Sequence, residues 1–172
     1  MNGRHLLLIG LLGSGKTTVG ALAAARLNIP FYDADHLIEE QEGTTVSQLF
    51  ADRGEAGFRV LERKVVRDLL ARDRPSLICP GGGWAAAPGN LEEASSSGTV
   101  IYLEVRPATA AARLGTGESR PLLAGGVLAR LEELAAARLT FYERADATVS
   151  TEGQTPEQVA KELVELARSL GG

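Results

Sequence analysis

Residues 10–17 read Gly-Leu-Leu-Gly-Ser-Gly-Lys-Thr: a glycine, four residues, then Gly-Lys-Thr. Residue types at this spacing build an anion site from backbone. The glycines let successive N–H groups turn inward, and a following helix adds the partial positive charge of its N-terminus. Lys16 would reach the β- and γ-phosphates of a nucleoside triphosphate as a compact cation, and the Thr17 hydroxyl would sit on Mg²⁺. The apolar run Leu6–Ile9 ahead of the loop and the helical stretch Val19–Leu27 behind it give the required strand–loop–helix setting. Of 18 basic residues only Lys16, Lys64 and Lys161 are lysines. A lysine in an arginine-dominated chain, placed where the loop wants an ammonium, points to chemistry.

A second set of residues could take the phosphoryl acceptor. Asp33 and Asp35 stand two apart at a predicted strand end, so their side chains leave on the same side. One could help hold Mg²⁺, and the other could accept a proton or hydrogen bond from an acceptor hydroxyl. Asp35 could instead cap the helix that follows. Arg59 and Glu62 lie one turn apart and can pair. Arg138 shares a predicted helix face with Leu131, Ala135 and Tyr142. An arginine on an apolar stripe pairs with a buried acid, meets an anionic ligand, or snorkels to the surface. Its planar fork fits a carboxylate in a two-pronged manner that lysine cannot match. Gly81-Gly82-Gly83 would let backbone approach a ligand closely, or form a plain wide turn. Arg120 could swing onto a transferring phosphate, and Arg113 could stack on a base. His5 and His36 read as structural, and Cys79 as a small buried residue.

These residues need a frame that brings them to one place. Predicted strands at Leu6–Ile9, Pro30–Tyr32, Leu77–Cys79, Val100–Leu103 and Ala147–Val149 alternate with predicted helices. The helices are Gly15–Leu27, His36–Glu42, Thr45–Ala51, Glu55–Ala71, Pro107–Leu114, Val127–Arg144 and Pro156–Leu170. The alternation predicts an α/β fold with a five-stranded parallel sheet flanked by helices, in which ligands gather beyond the carboxyl ends of the strands. The phosphate loop, Asp33-Ala34-Asp35, Gly81–Gly83, the segment leading to Gly115–Pro121, and Ser150–Gln154 each follow a predicted strand in turn. The Gly-rich stretch 115–126 reads as a mobile lid, and Gly89–Gly98, with its three serines, as a second polar loop. With 172 residues and no long linker, one domain over 1–172 is expected. Substrate binding is expected over about 33–62 and the lid over about 113–125. A net charge of −4 argues against nucleic acid or an anionic membrane as the main partner, and no apolar run is long enough to span a bilayer. A single cysteine and the lack of a signal-peptide pattern fit the cytoplasm, and a monomer is expected.

In order and spacing, the residues resemble the shikimate kinase family. The resemblance rests on Gly-Ser-Gly-Lys-Thr-Thr at 13–18, Phe31-Tyr32-Asp33-Ala34-Asp35 with Ile38-Glu39, and Gly54-Glu55 with Phe58-Arg59 and Glu62. It continues through Gly81-Gly82-Gly83, Arg120-Pro121-Leu122-Leu123, and Arg138 with Tyr142 and Ala145. It implies a P-loop three-layer fold and ATP-dependent phosphorylation of the 3-hydroxyl of shikimate, in aromatic amino-acid biosynthesis. Gly13, Ser14, Gly15, Lys16, Thr17 and Thr18 would then hold the ATP phosphates, with Thr17 on Mg²⁺ and Asp33 supporting the metal. Asp35 would orient or deprotonate the attacking hydroxyl. Arg59 and Arg138 would clamp the carboxylate and ring hydroxyls, and Gly81, Gly82 and Gly83 would border the substrate. Arg120 would close over ATP, with Arg113 near the adenine. The chain departs from the family pattern at Cys79-Pro80 and near Gly153-Gln154, where an arginine is replaced by Gln154 as an ATP contact. A gluconate kinase of similar architecture, or a non-catalytic ATP switch, are the rival readings.

Overall fold

A computed structural model describes residues 4–115 and 126–171. The chain runs β1 (His5–Ile9), α1 (Lys16–Leu27), β2 (Phe31–Asp33), α2 (Ala34–Glu42), α3 (Val46–Leu70) and β3 (Leu77–Cys79). It continues with a short 3₁₀ turn (Trp84–Ala86), α4 (Asn90–Ser97), β4 (Gly98–Glu104), α5 (Pro107–Leu114), α6 (Val127–Tyr142), β5 (Ala147–Ser150) and α7 (Pro156–Leu170). The strands form one sheet in the order β2-β3-β1-β4-β5, every neighbouring pair parallel. This is the five-stranded parallel sheet with flanking helices that the alternation predicts.

The central strand shows why. All five residues of β1 are buried, as a strand covered on both faces must be. Its side chains alternate between two cores: Leu7 and Ile9 join Phe58, Val66, Ile78 and Tyr142 on one face. Leu6 and Leu8 join Val19, Leu77, Ile101 and Leu163 on the other. A smaller cluster of Leu11, Val105, Ala110, Leu131 and Leu134 seats α5 and α6 beside the first loop. α7 starts with a capping box in which Thr155 and Gln158 satisfy each other's backbone N–H groups.

Two local expectations change, and a third holds. The stretch 89–98 is not a loop; Asn90–Ser97 is helical. Leu91 and Ala94 are buried in the core under this turn. Ser95 and Ser96 hydroxyls donate back to the carbonyls of Leu91 and Glu93 at 2.8 and 2.7 Å, so serines that signal a turn here lie along a helix. Two helices are expected on either side of residues 52–54, and the break between them is there: Gly54 (φ 69°, ψ 177°) interrupts the helical backbone inside α3. The cap of α2 is Asp33, whose Oδ1 accepts the His36 N–H at 3.2 Å, and Asp35 sits in the first turn instead.

Candidate active site

The loop 10–15 closes over the start of α1 with backbone geometry that only glycine provides. Gly13 has φ +80°, and a Cβ there would meet the Ala110 carbonyl at 2.7 Å. α1 has Gly15 at its N-cap and no side-chain cap, so its first N–H groups face the loop cavity. The Lys16 ammonium donates to the carbonyls of Gly10 and Leu11 at 2.7 and 3.0 Å. Burial lowers Lys16 from the ordinary 10.5 to about 8, against an upward pull from Asp35 and Asp33. The cavity above the loop measures 390 Å³ and reaches from Gly13, Lys16 and Thr18 to Gly82, Arg113 and Gln154.

Thr17 and Asp33 meet at the rim: the Thr17 hydroxyl donates to Asp33 Oδ2 at 2.7 Å. Two hard oxygen donors at one point suit Mg²⁺, which prefers few protein ligands and completes its shell with phosphate and water. The described residues hold no cluster of three or more His, Cys, Asp or Glu side chains that would form a dedicated metal cage. The donor set therefore fits a nucleotide-borne cation.

The expectation that Asp33 and Asp35 face the same side holds for a different reason than strand alternation. Asp33 ends β2 and Asp35 opens α2, yet both line the loop cavity and the 800 Å³ groove beside α2. Asp35 also faces a third chamber of 60 Å³, bounded by Phe58, Arg59, the Gly81–Gly83 turn and Arg138.

That chamber gathers charge where little water reaches. Glu62, on α3, is 1% exposed. Its Oε2 accepts from Arg59 Nη1 at 2.8 Å, and its Oε1 accepts the Gly81 N–H at 3.0 Å. Burial pushes the Glu62 carboxyl up, opposed by Arg59 and the Gly81 N–H. Arg59 also reaches Glu55 at 3.3 Å. Arg138, on α6, is 5% exposed and its Nη1 is buried without a hydrogen-bond partner among the described residues. On the same helix, the Tyr142 hydroxyl donates to the Gly82 carbonyl at 2.5 Å. Burial pushes the Tyr142 hydroxyl up to about 12, so it remains a donor.

The glycine triplet has a steric reason. A Cβ on Gly83 would strike Arg59 Nη2 and stand 2.8 Å from Arg138 Nη2; one on Gly81 would strike Glu62 Oε1. A buried arginine with an open N–H, beside a phosphate loop and a carboxylate, is an acceptor site for a small anion.

Sequence comparison points the same way. The profile of the family described as "Shikimate kinase" matches residues 12–168. The chain belongs to the shikimate kinase family. A shikimate kinase of Thermobifida fusca is 45% identical over 170 residues, spanning 95% of this chain and 97% of that one. One from Symbiobacterium thermophilum is 42% identical over 171 residues, or 97% and 98% of the two chains. The solved shikimate kinase from Acinetobacter baumannii in complex with shikimate superposes with a TM-score of 0.92. It is 31% identical and covers 97% of this chain and 94% of that one. A Sinorhizobium meliloti gluconokinase, 18% identical with a TM-score of 0.61, shares the fold alone.

Against this family frame, the structure brings together Gly13 to Thr18, Asp33, Asp35, Arg59, Gly81 to Gly83 and Arg138. Arg113 joins them by donating to the Gly13 carbonyl and the Thr151 hydroxyl, both at 3.1 Å. Gln154 lines the cavity, but its amide nitrogen donates to the Ser150 carbonyl at 2.8 Å and to Glu162 at 3.2 Å. Cys79 is buried as expected, and its thiol donates to the Lys16 carbonyl at 3.3 Å. His5 is structural, bridging Ser76 and the Arg72 carbonyl at 2.9 Å each. Arg120, Pro121 and all but the first three positions (113–115) of the lid expected over about 113–125 lie outside the described residues. Sequence reasoning gave no role to Tyr142 or Glu152. An aromatic hydroxyl one turn beyond an arginine on the same face, and an acid just after a strand end, are the signals that mark them.

Proposed function

We propose that this chain transfers the γ-phosphoryl group of ATP to the 3-hydroxyl of shikimate. The observation that carries the reading is the buried, partly unpartnered Arg138 facing the same chamber as Asp35, one glycine away from the phosphate loop. Shikimate presents one carboxylate and several hydroxyls, which suits two guanidiniums, a carboxylate and exposed backbone.

In this reading the loop N–H groups and Lys16 hold the β- and γ-phosphates. Thr17 and Asp33 would hold Mg²⁺, which would neutralise charge on the transferring group. Arg138 and Arg59 clamp the carboxylate of shikimate and fix the ring. Asp35 accepts the hydrogen bond or proton of the attacking hydroxyl and aims its oxygen along the line of transfer. Glu62 keeps Arg59 in place. Arg120 closes over ATP, and Arg113 and Gln154 border the base. Phosphoryl transfer asks for alignment and charge neutralisation more than covalent help, and these groups supply both.

The test is ADP release with and without shikimate, with the product phosphate located by phosphorus NMR. Shikimate is expected to stimulate release and gain a phosphate at its 3-oxygen. Gluconate and nucleotides are expected to do nothing. ATP binding with no acceptor-dependent turnover would support a switch and overturn the kinase reading.

A further inference from the structure

α5 carries no cap of its own. Its N-cap residue, Arg106, offers no side-chain hydrogen bond to the first turn, and Pro107 follows it. A helix end without a cap leaves backbone N–H groups to be satisfied elsewhere. Here the satisfaction comes from another element. Glu152, two residues past the end of β5, accepts the Arg106 backbone N–H on Oε1 at 2.7 Å. Its Oε2 accepts the Thr109 hydroxyl at 2.8 Å. These donors hold the Glu152 carboxyl down to about 2, so it stays charged at any working pH. The Arg106 guanidinium also reaches Oε2 at 3.3 Å, but it is 77% exposed and adds little.

The other end of α5 is tied to the same loop. Arg113 donates to the Thr151 hydroxyl and carbonyl, both at 3.1 Å, and to the Gly13 carbonyl at 3.1 Å. Between these ends Ala110 is fully buried, and its backbone lies so near Gly13 that a Cβ there would meet the Ala110 carbonyl at 2.7 Å. α5 is thus a brace between the phosphate loop and the loop after β5, pinned at one end by Glu152 and at the other by Arg113.

We propose that Glu152 is a positioning residue for the nucleotide, acting through α5 on the shape of the phosphate loop and on the wall that carries Arg113. It touches no reacting atom. The inference rests on the kinase reading for its ligand, but it assigns Glu152 to one substrate only. None of its contacts runs to Asp35, Arg59, Gly82 or Arg138.

ADP titration by calorimetry, without shikimate, tests it, together with separate KM measurements for ATP and shikimate. Glu152→Ala is expected to weaken ADP and raise the ATP KM by about tenfold, the usual effect of losing charge-assisted hydrogen bonds. The shikimate KM should stay within about twofold. Glu152→Gln keeps one accepting oxygen and should recover part of the loss. Thr109→Val removes one contact on Oε2 and should weaken ADP by a few-fold, which keeps the test open should Glu152→Ala fail to fold. A merely structural glutamate would lower Tm and leave the ratio of the two KM values unmoved. That result, or equal weakening of both substrates, overturns the proposal. A wild-type protein that binds no ADP would overturn the kinase reading and this inference together. Wild type and variants that bind ADP alike would overturn this inference alone.

Discussion

In the proposed reading the nucleotide side and the acceptor side each take an anion, and they are built from opposite materials. Around residues 10–17 the site is mostly main chain: helix N–H groups, with one lysine resting on the Gly10 and Leu11 carbonyls. Across the glycine triplet it is long side chains: Arg59 from α3, held by Glu62, and the buried Arg138 from α6. A backbone site tolerates side-chain change but not an added Cβ, as the contact between Gly13 and Ala110 shows. A side-chain site depends on the shape of each charged group, because a buried guanidinium is planar and cannot be imitated by a point charge.

The sharpest way to break this contrast is at Lys16. Lys16→Ala is expected to cut kcat by about 10³-fold, the scale of losing a preorganised charge at the transferring group. Shikimate binding, followed by calorimetry, should survive. Asp35→Asn sits where the two sides meet and should lower kcat by about 10²-fold or more with Tm little changed. Retained turnover would remove Asp35 from the proton-accepting role. Arg138→Lys keeps the charge and loses the fork, so the shikimate KM should rise by about tenfold to hundredfold while the ATP KM holds. An unchanged shikimate KM would mean that Arg138 is a structural arginine.

The smallest effect is titration of Lys16. In the free protein its pKa is lowered to about 8, and a bound polyphosphate must raise it. Nucleotide binding should therefore take up a proton above about pH 8 and weaken by up to about tenfold per pH unit there. Calorimetry in buffers of different ionisation enthalpy reads the uptake. The sign for folding is the reverse of the usual salt-bridged lysine. Between about 8 and 10.5 the unfolded chain holds the proton that the folded one has lost, so this group makes stability rise with pH across that window.

The same contrast explains what the chain made legible. A backbone site is a contiguous string, and 10–17 names it outright. The sheet was equally plain, because β1 is an unbroken apolar run. Arg138 stood out as a charge on an apolar face, and Arg59 with Glu62 as a helical pair. Asp33 and Asp35 were found as a pair, but which of them capped α2 depended on where β2 ended, one residue beyond the predicted strand. α4 was hidden because it buries only Asn90, Leu91 and Ala94, too few for a periodic stripe, and its serines imitate a loop. Glu152 was hidden because its meaning lies in α5, 46 positions away in sequence.

Gly82 borders both the phosphate-loop cavity and the acceptor chamber, as do Leu12 and Asp35. The two rooms thus share part of their lining. A stray water entering the acceptor chamber would stand where the sugar-like ring belongs, facing the same phosphorus. Idle hydrolysis and useful transfer would then compete for a single seat, and a shikimate analogue lacking the 3-oxygen should silence any ATP turnover measured in its absence.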